Sequence, residues 1–138
     1  MSEQTSSGVM AGKRGLIMGV ANDRSIGWGI ASKLAEHGAE LAFTFQGEAL
    51  QKRVIPLAES VGSNLVLPCD VTDEASVDAV FDRLKSEWGE LDFVLHAIAY
   101  SDKEELKGGY VDTSRDNFQR TMDISVYSSP RSRARRQP

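Results

Sequence analysis

Four continuous apolar runs mark the chain, at residues 15–20, 39–45, 65–69 and 92–99, the last reading Asp-Phe-Val-Leu-His-Ala-Ile-Ala. Runs without polar alternation are the pattern of parallel strands covered on both faces. Between them the apolar positions recur every three or four residues, as on one face of a helix. Residues 28–37 place Ile30, Ala31, Leu34 and Ala35 on one such face, and Gly38 follows where a left-handed C-terminal cap belongs. Residues 49–61 precede Gly62 in the same way, with Pro56 expected to kink or shorten the helix. Between residues 75 and 88, Val77, Val80, Phe81, Leu84 and Trp88 form a stripe, with Thr72 or Asp73 to cap its start and Gly89 to end it. A further helix is expected from Ser114 or Arg115 through Phe118, Met122 and Ile124. Strand followed by helix, four times over, predicts an α/β fold with a doubly wound parallel sheet of about four strands and right-handed crossovers.

Composition narrows the setting. The 138 residues suffice for one domain with a core. No apolar run approaches the roughly 18 residues of a membrane helix. Residues 1–12 are small and polar, without the apolar centre of a signal peptide, and read as a flexible tail on a cytoplasmic protein that does not engage a membrane. Cys69 is the sole cysteine, so no internal disulfide can form. Four of the 16 basic residues, Arg131, Arg133, Arg135 and Arg136, crowd the last eight positions. The remaining body sets 12 basic against 20 acidic residues, a balance of −8 that argues against a nucleic-acid surface.

The candidate chemistry lies where strands end. The first run leads into Gly19-Val20-Ala21-Asn22-Asp23-Arg24-Ser25-Ile26-Gly27-Trp28-Gly29. A glycine-rich turn from a first strand into a first helix lets the backbone and the helix N-terminus approach the pyrophosphate of a dinucleotide. The spacing departs from G-x-G-x-x-G, and the alternative is a tight turn that closes a βα unit and binds nothing. After the second strand stands Gln46, which can hydrogen-bond a ribose but brings no charge to a 2′-phosphate. This favours NADH, with Lys52 and Arg53 a turn further on keeping NADPH open; the alternative for Gln46 is an ordinary surface position. Asp70 and Val71 follow the third strand, where a carboxylate can accept from the adenine amino group and an amide can read the ring, unless Asp70 only caps the next helix. Cys69 reads as a packed small residue. His96, without a second histidine or cysteine beside it, reads as a hydrogen-bonded strand residue and not a metal ligand. Small residues at the end of this strand would let the backbone run beside the nicotinamide ribose.

Taken together, residues 19–29, Leu41-Ala42-Phe43-Thr44-Phe45-Gln46, Cys69-Asp70-Val71, His96-Ala97-Ile98-Ala99 and Asp123-Ile124-Ser125-Val126-Tyr127-Ser128 resemble the bacterial NADH-dependent enoyl-acyl-carrier-protein reductases. These are divergent members of the short-chain dehydrogenase/reductase superfamily. The resemblance runs from Gly12 to Ser128. It implies a Rossmann-type dinucleotide-binding domain over residues 13–128 that is partial relative to the family. It implies that Gly19, Ser25 and Ile26 hold the pyrophosphate end, Gln46 the adenosine ribose, Asp70 and Val71 the adenine, and that Ile98 lines the nicotinamide side. Ser101 would stand at the substrate mouth. The implied substrate is an acyl-carrier-protein-bound trans-2-enoyl thioester, and the implied assembly a homotetramer, expected to be lost here.

The family continues for about as many residues again, and that half would carry the catalytic Tyr-x6-Lys. Its tyrosine would stabilise the enolate and its lysine would hold the nicotinamide ribose. Tyr100 and Lys107 share that spacing but fall in a loop, where nothing makes them converge. Residues 129–138 are rich in Arg and Pro and carry no apolar period. They read as a non-native tail from a shifted reading frame, with a basic nucleic-acid arm as the rival. The chain is therefore expected to be inactive on its own. The alternatives are a ketoreductase of the same superfamily, disfavoured by the long glycine loop and by Glu104 four residues after Tyr100, and a non-catalytic nucleotide-binding fragment.

Overall fold

A computed structural model describes residues 8–99 and 103–128. Strands β1 (Arg14–Met18), β2 (Glu40–Phe45), β3 (Val66–Pro68) and β4 (Phe93–His96) form one parallel sheet in the order β3-β2-β1-β4. Helices α1 (Ile26–Glu36), α2 (Glu48–Ser60) and α3 (Glu74–Trp88) connect them. Two 3-10 turns, Lys103–Leu106 and Tyr110–Asp112, lead to α4 (Arg115–Met122), which passes directly into a π-helical turn at Asp123–Tyr127.

The sheet is covered on both sides, which is why its strands read as unbroken apolar runs. Leu16 and Met18 of β1 join Ala42, Leu67 and the Val77, Val80 and Leu84 stripe of α3 on one face. Ile17 joins Leu41, Phe43 and Phe45, with Ala31 of α1 and Val54 and Ala58 of α2, on the other. Leu16, Ile17 and Met18 are all fully buried. Complete burial of side chains of this size is worth roughly 1.5–3 kcal/mol each. Trp28 closes the second core against Phe43, ring centroids 6.2 Å apart. At the opposite end of the sheet from the strand C-termini, Arg14 joins three elements. Its Nε lies 3.1 Å from Glu40, and its Nη1 donates to the Trp88 carbonyl at 2.9 Å.

Caps form where the side chains allow. Asp73 accepts from the Ala75 amide at 3.1 Å and starts α3, while the Thr72 hydroxyl is used elsewhere. Ser114 accepts from the Asn117 amide at 3.1 Å and starts α4.

Four expectations need correction. Helix α2 runs through Pro56 to Ser60. The carbonyl that loses its partner belongs to Lys52; both residues are exposed, so water can satisfy it. Ile30 is 40% exposed, whereas Ala31 is buried. Trp28, Ala31, Leu34 and Ala35 face the second core, and Ile30 is turned outward. The fourth strand ends at His96 and does not continue to residue 99. Gly19, at φ 111°, swings its partner strand away, so pairing stops after the Ala97 amide bonds to the Met18 carbonyl at 2.8 Å. Residues 8–12 are tied to the body at Met10, whose amide donates to the His37 carbonyl at 2.8 Å and whose side chain lies against the second core, while Val9 is exposed. Residues 1–7 and 129–138, with Pro130, lie outside the described residues, as do Tyr100 and Ser101. Among the described residues, no helix is long and apolar enough to cross a membrane.

Candidate functional site

The chain leaves β1 toward β2 and β3 on one side, then returns to place β4 on the other. The sheet order therefore reverses between β1 and β4, and an open α/β sheet offers a crevice at the C-terminal ends of such strands. A cavity of about 460 Å³ lies there. That is within the roughly 300–1,000 Å³ typical of small-molecule sites.

Each strand contributes residues at or just beyond its C-terminal end. β1 supplies Gly19, Val20 and Ala21; β2 supplies Thr44, Phe45 and Gln46; β3 supplies Cys69 through Thr72; β4 supplies Ala97, Ile98 and Ala99. Leu50 of α2 closes one side, and Arg120 and Ile124 reach in from α4 and its π turn.

Gly19 is required at its position for two reasons. Its φ of 111° is unfavourable for any side chain, and a Cβ would run into the Ala97 carbonyl. The two backbones that flank the crevice therefore touch, and the loop after β1 begins at the cavity wall. Within that loop Ser25 is the N-cap of α1, yet its hydroxyl makes no cap bond to the helix. It donates to the Asn22 carbonyl at 2.7 Å and accepts from the Ala21 amide at 3.3 Å. Asn22 in turn accepts from the Arg24 amide at 2.8 Å. The loop is thus tied to itself, and the first-turn amides of α1 are left without a side-chain cap.

Asp70 lines the cavity with a well-defined carboxylate. One oxygen accepts from the Thr72 amide at 2.9 Å and from its hydroxyl at 2.6 Å, while the Asp70 amide donates to Ser76 Oγ at 2.8 Å. These bonds fix where the carboxylate points and leave the capping of α3 to Asp73. Burial pushes the Cys69 thiol up from its ordinary value of 9.0; a hydrogen bond with Ser76 opposes the shift, and the Asp70 and Asp73 charges add to it. Cys69 is therefore a protonated wall atom and not a nucleophile. His96 lies just behind the wall. Burial lowers its proton affinity below the ordinary value of 6.5, with a backbone hydrogen bond in partial opposition, so the ring is neutral near pH 7. Among the described residues, no three His, Cys, Asp or Glu side chains gather as a metal site.

Of the residues singled out from the sequence, Gly19, Gln46, Asp70, Val71 and Ile98 come together around this one cavity. Ser25 and Ile26 do not line it: Ser25 shapes the loop from behind, and Ile26 is 80% exposed. Ser101 lies outside the described residues. Thr44, Leu50, Arg120 and Ile124 were not anticipated as wall residues. For Arg120 and Ile124 a signal existed, because their spacing of four puts both on one face of a helix.

The sequence profile of the Enoyl-(Acyl carrier protein) reductase family matches residues 19–134. Enoyl-(acyl-carrier-protein) reductase (NADH) 1 of Rhizobium meliloti (strain 1021) is 67% identical over 123 residues, which are 89% of this chain and 45% of the relative. The crystal structure of FabI from Candidatus Liberibacter asiaticus superposes with a TM-score of 0.92 at 53% identity, covering 94% of this chain and 50% of that one. The enoyl-(acyl-carrier-protein) reductase of Anaplasma phagocytophilum, crystallised in complex with NAD, superposes with a TM-score of 0.89 at 55% identity, covering 92% and 48%. The chain thus spans about half the length of the relatives it matches.

Proposed function

The chain belongs to the enoyl-(acyl carrier protein) reductase family, and from that premise we propose that its cavity binds NADH and that the whole protein reduces the trans-2 double bond of an acyl-carrier-protein thioester in fatty acid synthesis. The observation that carries this reading is the crevice at the β1/β4 reversal, with Gly19 at its floor and the small residues Ala97 and Ala99 across from it. The donor set fits a dinucleotide from end to end. Uncapped first-turn amides and the Gly19–Ala21 backbone suit a pyrophosphate. Asp70, held by Thr72, suits the adenine amino group, with Val71 against the ring. Gln46, exposed at the end of β2, suits the ribose hydroxyls, and Ile98 suits the nicotinamide side. Ser25 and Ile26 act at the pyrophosphate end through the backbone of the loop they shape.

When bound, the cofactor supplies the hydride. This chain's own residues bind it, orient it and exclude water along one face. Tyr100 and Lys107 are the sequence's one Tyr-x6-Lys spacing, and Tyr100 lies outside the described residues. Lys107 stands in a loop between the two 3-10 turns, and its side chain is exposed.

The proposal places the protein in the cytoplasm, with a homotetramer as the assembly of the whole protein. Cofactor preference follows from Gln46, which is neutral; the R. meliloti relative bears NADH in its name and the A. phagocytophilum structure holds NAD. Fluorescence titration of the 138-residue chain tests the reading. NADH is expected to bind in the micromolar range and more tightly than NADPH, with no steady oxidation on adding crotonyl thioester. A folded chain that takes up neither dinucleotide would refute the cavity assignment.

A further inference from the structure

β4 ends on His96, whose ring does not reach the cavity. Its Nε2 lies 2.6 Å from Ser128 Oγ, 32 residues away in sequence. Ser128 is 3% exposed, and its hydroxyl lies 2.6 Å from the Ile124 carbonyl oxygen. A carbonyl oxygen can only accept, so the hydroxyl proton points at Ile124. Ser128 Oγ must then accept from His96, which assigns the Nε2–H tautomer to the imidazole. The direction of the relay is fixed: ring N–H to hydroxyl, hydroxyl to carbonyl.

The residue at the end of the relay is a wall residue. Ile124 lines the cavity, and Arg120, four residues earlier, lines it too. Ile124 also belongs to the π-helical turn Asp123–Tyr127 that continues α4. A π turn is a rare local widening of a helix and needs a reason to persist. The Ser128–Ile124 bond spans that turn, and the His96 bond fastens it to the last strand of the sheet. From α4 and the π turn, the cavity side receives one cation, Arg120, and one apolar side chain, Ile124.

We propose that His96 and Ser128 are positioning residues, which through this relay hold the π turn against β4 so that Ile124 and Arg120 form the outer wall of the dinucleotide cavity. The inference rests on the proposed reading of the cavity as a dinucleotide site. Neither residue touches the ligand. Their effect is transmitted through the turn, and it concerns how tightly the cavity closes on a dinucleotide.

The test uses the 138-residue chain with NADH as the probe. Ser128→Ala and His96→Leu each remove the relay and are expected to weaken NADH binding about tenfold, the upper reach of one net hydrogen bond. His96→Gln, which keeps an N–H near the position of Nε2, is expected to restore binding to within about threefold of the parent chain. The double variant is expected to bind no more weakly than the worse single one, because the two residues act as one unit. Binding at parental strength in both Ser128→Ala and His96→Leu would overturn the positioning role while leaving the cavity reading intact. No NADH binding by the parent chain would overturn both. Should the variants fail to fold, nitrogen-15 shifts of the His96 ring in the parent chain still decide: Nε2–H is expected, and Nδ1–H would break the relay.

Discussion

At the scale of single residues, Gly19 carries the sharpest demand. Its φ of 111° and the approach of the Ala97 carbonyl leave no space for a methyl group. Gly19→Ala is expected to destabilise the fold by about 2 kcal/mol or more, from backbone strain and a steric clash together. Urea unfolding of both chains measures it, and an unchanged midpoint would show that the loop can move away from β4. Cys69 offers a different test. It is the sole cysteine and is buried, with its thiol proton affinity raised chiefly by burial. Thiolate is the reactive form, so a disulfide reagent at pH 8 should label native protein far more slowly than urea-unfolded protein. Comparable rates would mean that the third strand opens freely. Asp70 shows what a sequence can and cannot disclose about a residue. Its place at a strand end was legible. The clasp on Thr72 was not, because an Asx-type turn and a helix cap use the same residue types.

At the scale of elements, strand and helix positions were legible because both faces of the sheet are covered, so that burial dictates continuous apolar runs. The exceptions have local causes. The early end of β4 depends on where Gly19 sends the partner strand, and Ile30 depends on which face α1 turns to the sheet. The π turn leaves no sequence signature at all: the same apolar spacing serves α and π geometry. The spacing of Arg120 and Ile124 puts both on one helix face, but that this face borders the cavity depends on how α4 docks. Pro56 yields a prediction at this scale. Within α2 it removes the bond to the Lys52 carbonyl, yet it sits on the exposed side and contributes nothing to either core cluster. A proline inside a helix costs about 3 kcal/mol relative to alanine, partly offset by the stiffer unfolded chain. Pro56→Ala is therefore expected to stabilise the protein by about 1–2 kcal/mol. A lower urea midpoint in the variant would show that the ring packs usefully where it stands.

At the scale of the whole molecule, one internal ionisation and one surface set the solution behaviour. His96 has its proton affinity lowered by burial. Below the ordinary value of 6.5, the unfolded chain therefore takes up a proton that the folded chain resists. Stability is full above that pH and declines as pH falls toward the folded value. His96→Gln should flatten that decline below pH 6.5 in urea titrations, and an unaltered slope would assign it to other groups. The surface is the outer side of α4 and its π turn, where Phe118, Met122 and Val126 recur at intervals of four and are 51%, 41% and 51% exposed. On the sheet, β4 pairs with β1 alone among the described residues, and its Phe93, Val94 and Leu95 are half-buried. An apolar stripe and a strand edge on one molecule favour self-association. The chain is expected to elute larger than a monomer at high concentration. Replacing Phe118 and Met122 together, as Phe118→Glu and Met122→Lys, should shift it toward monomer without weakening NADH binding, because neither side chain lines the cavity. If the double variant stayed associated, the strand edge rather than the helix stripe would be the contact that matters, and a lysine at Val94 would be the substitution that separates the copies.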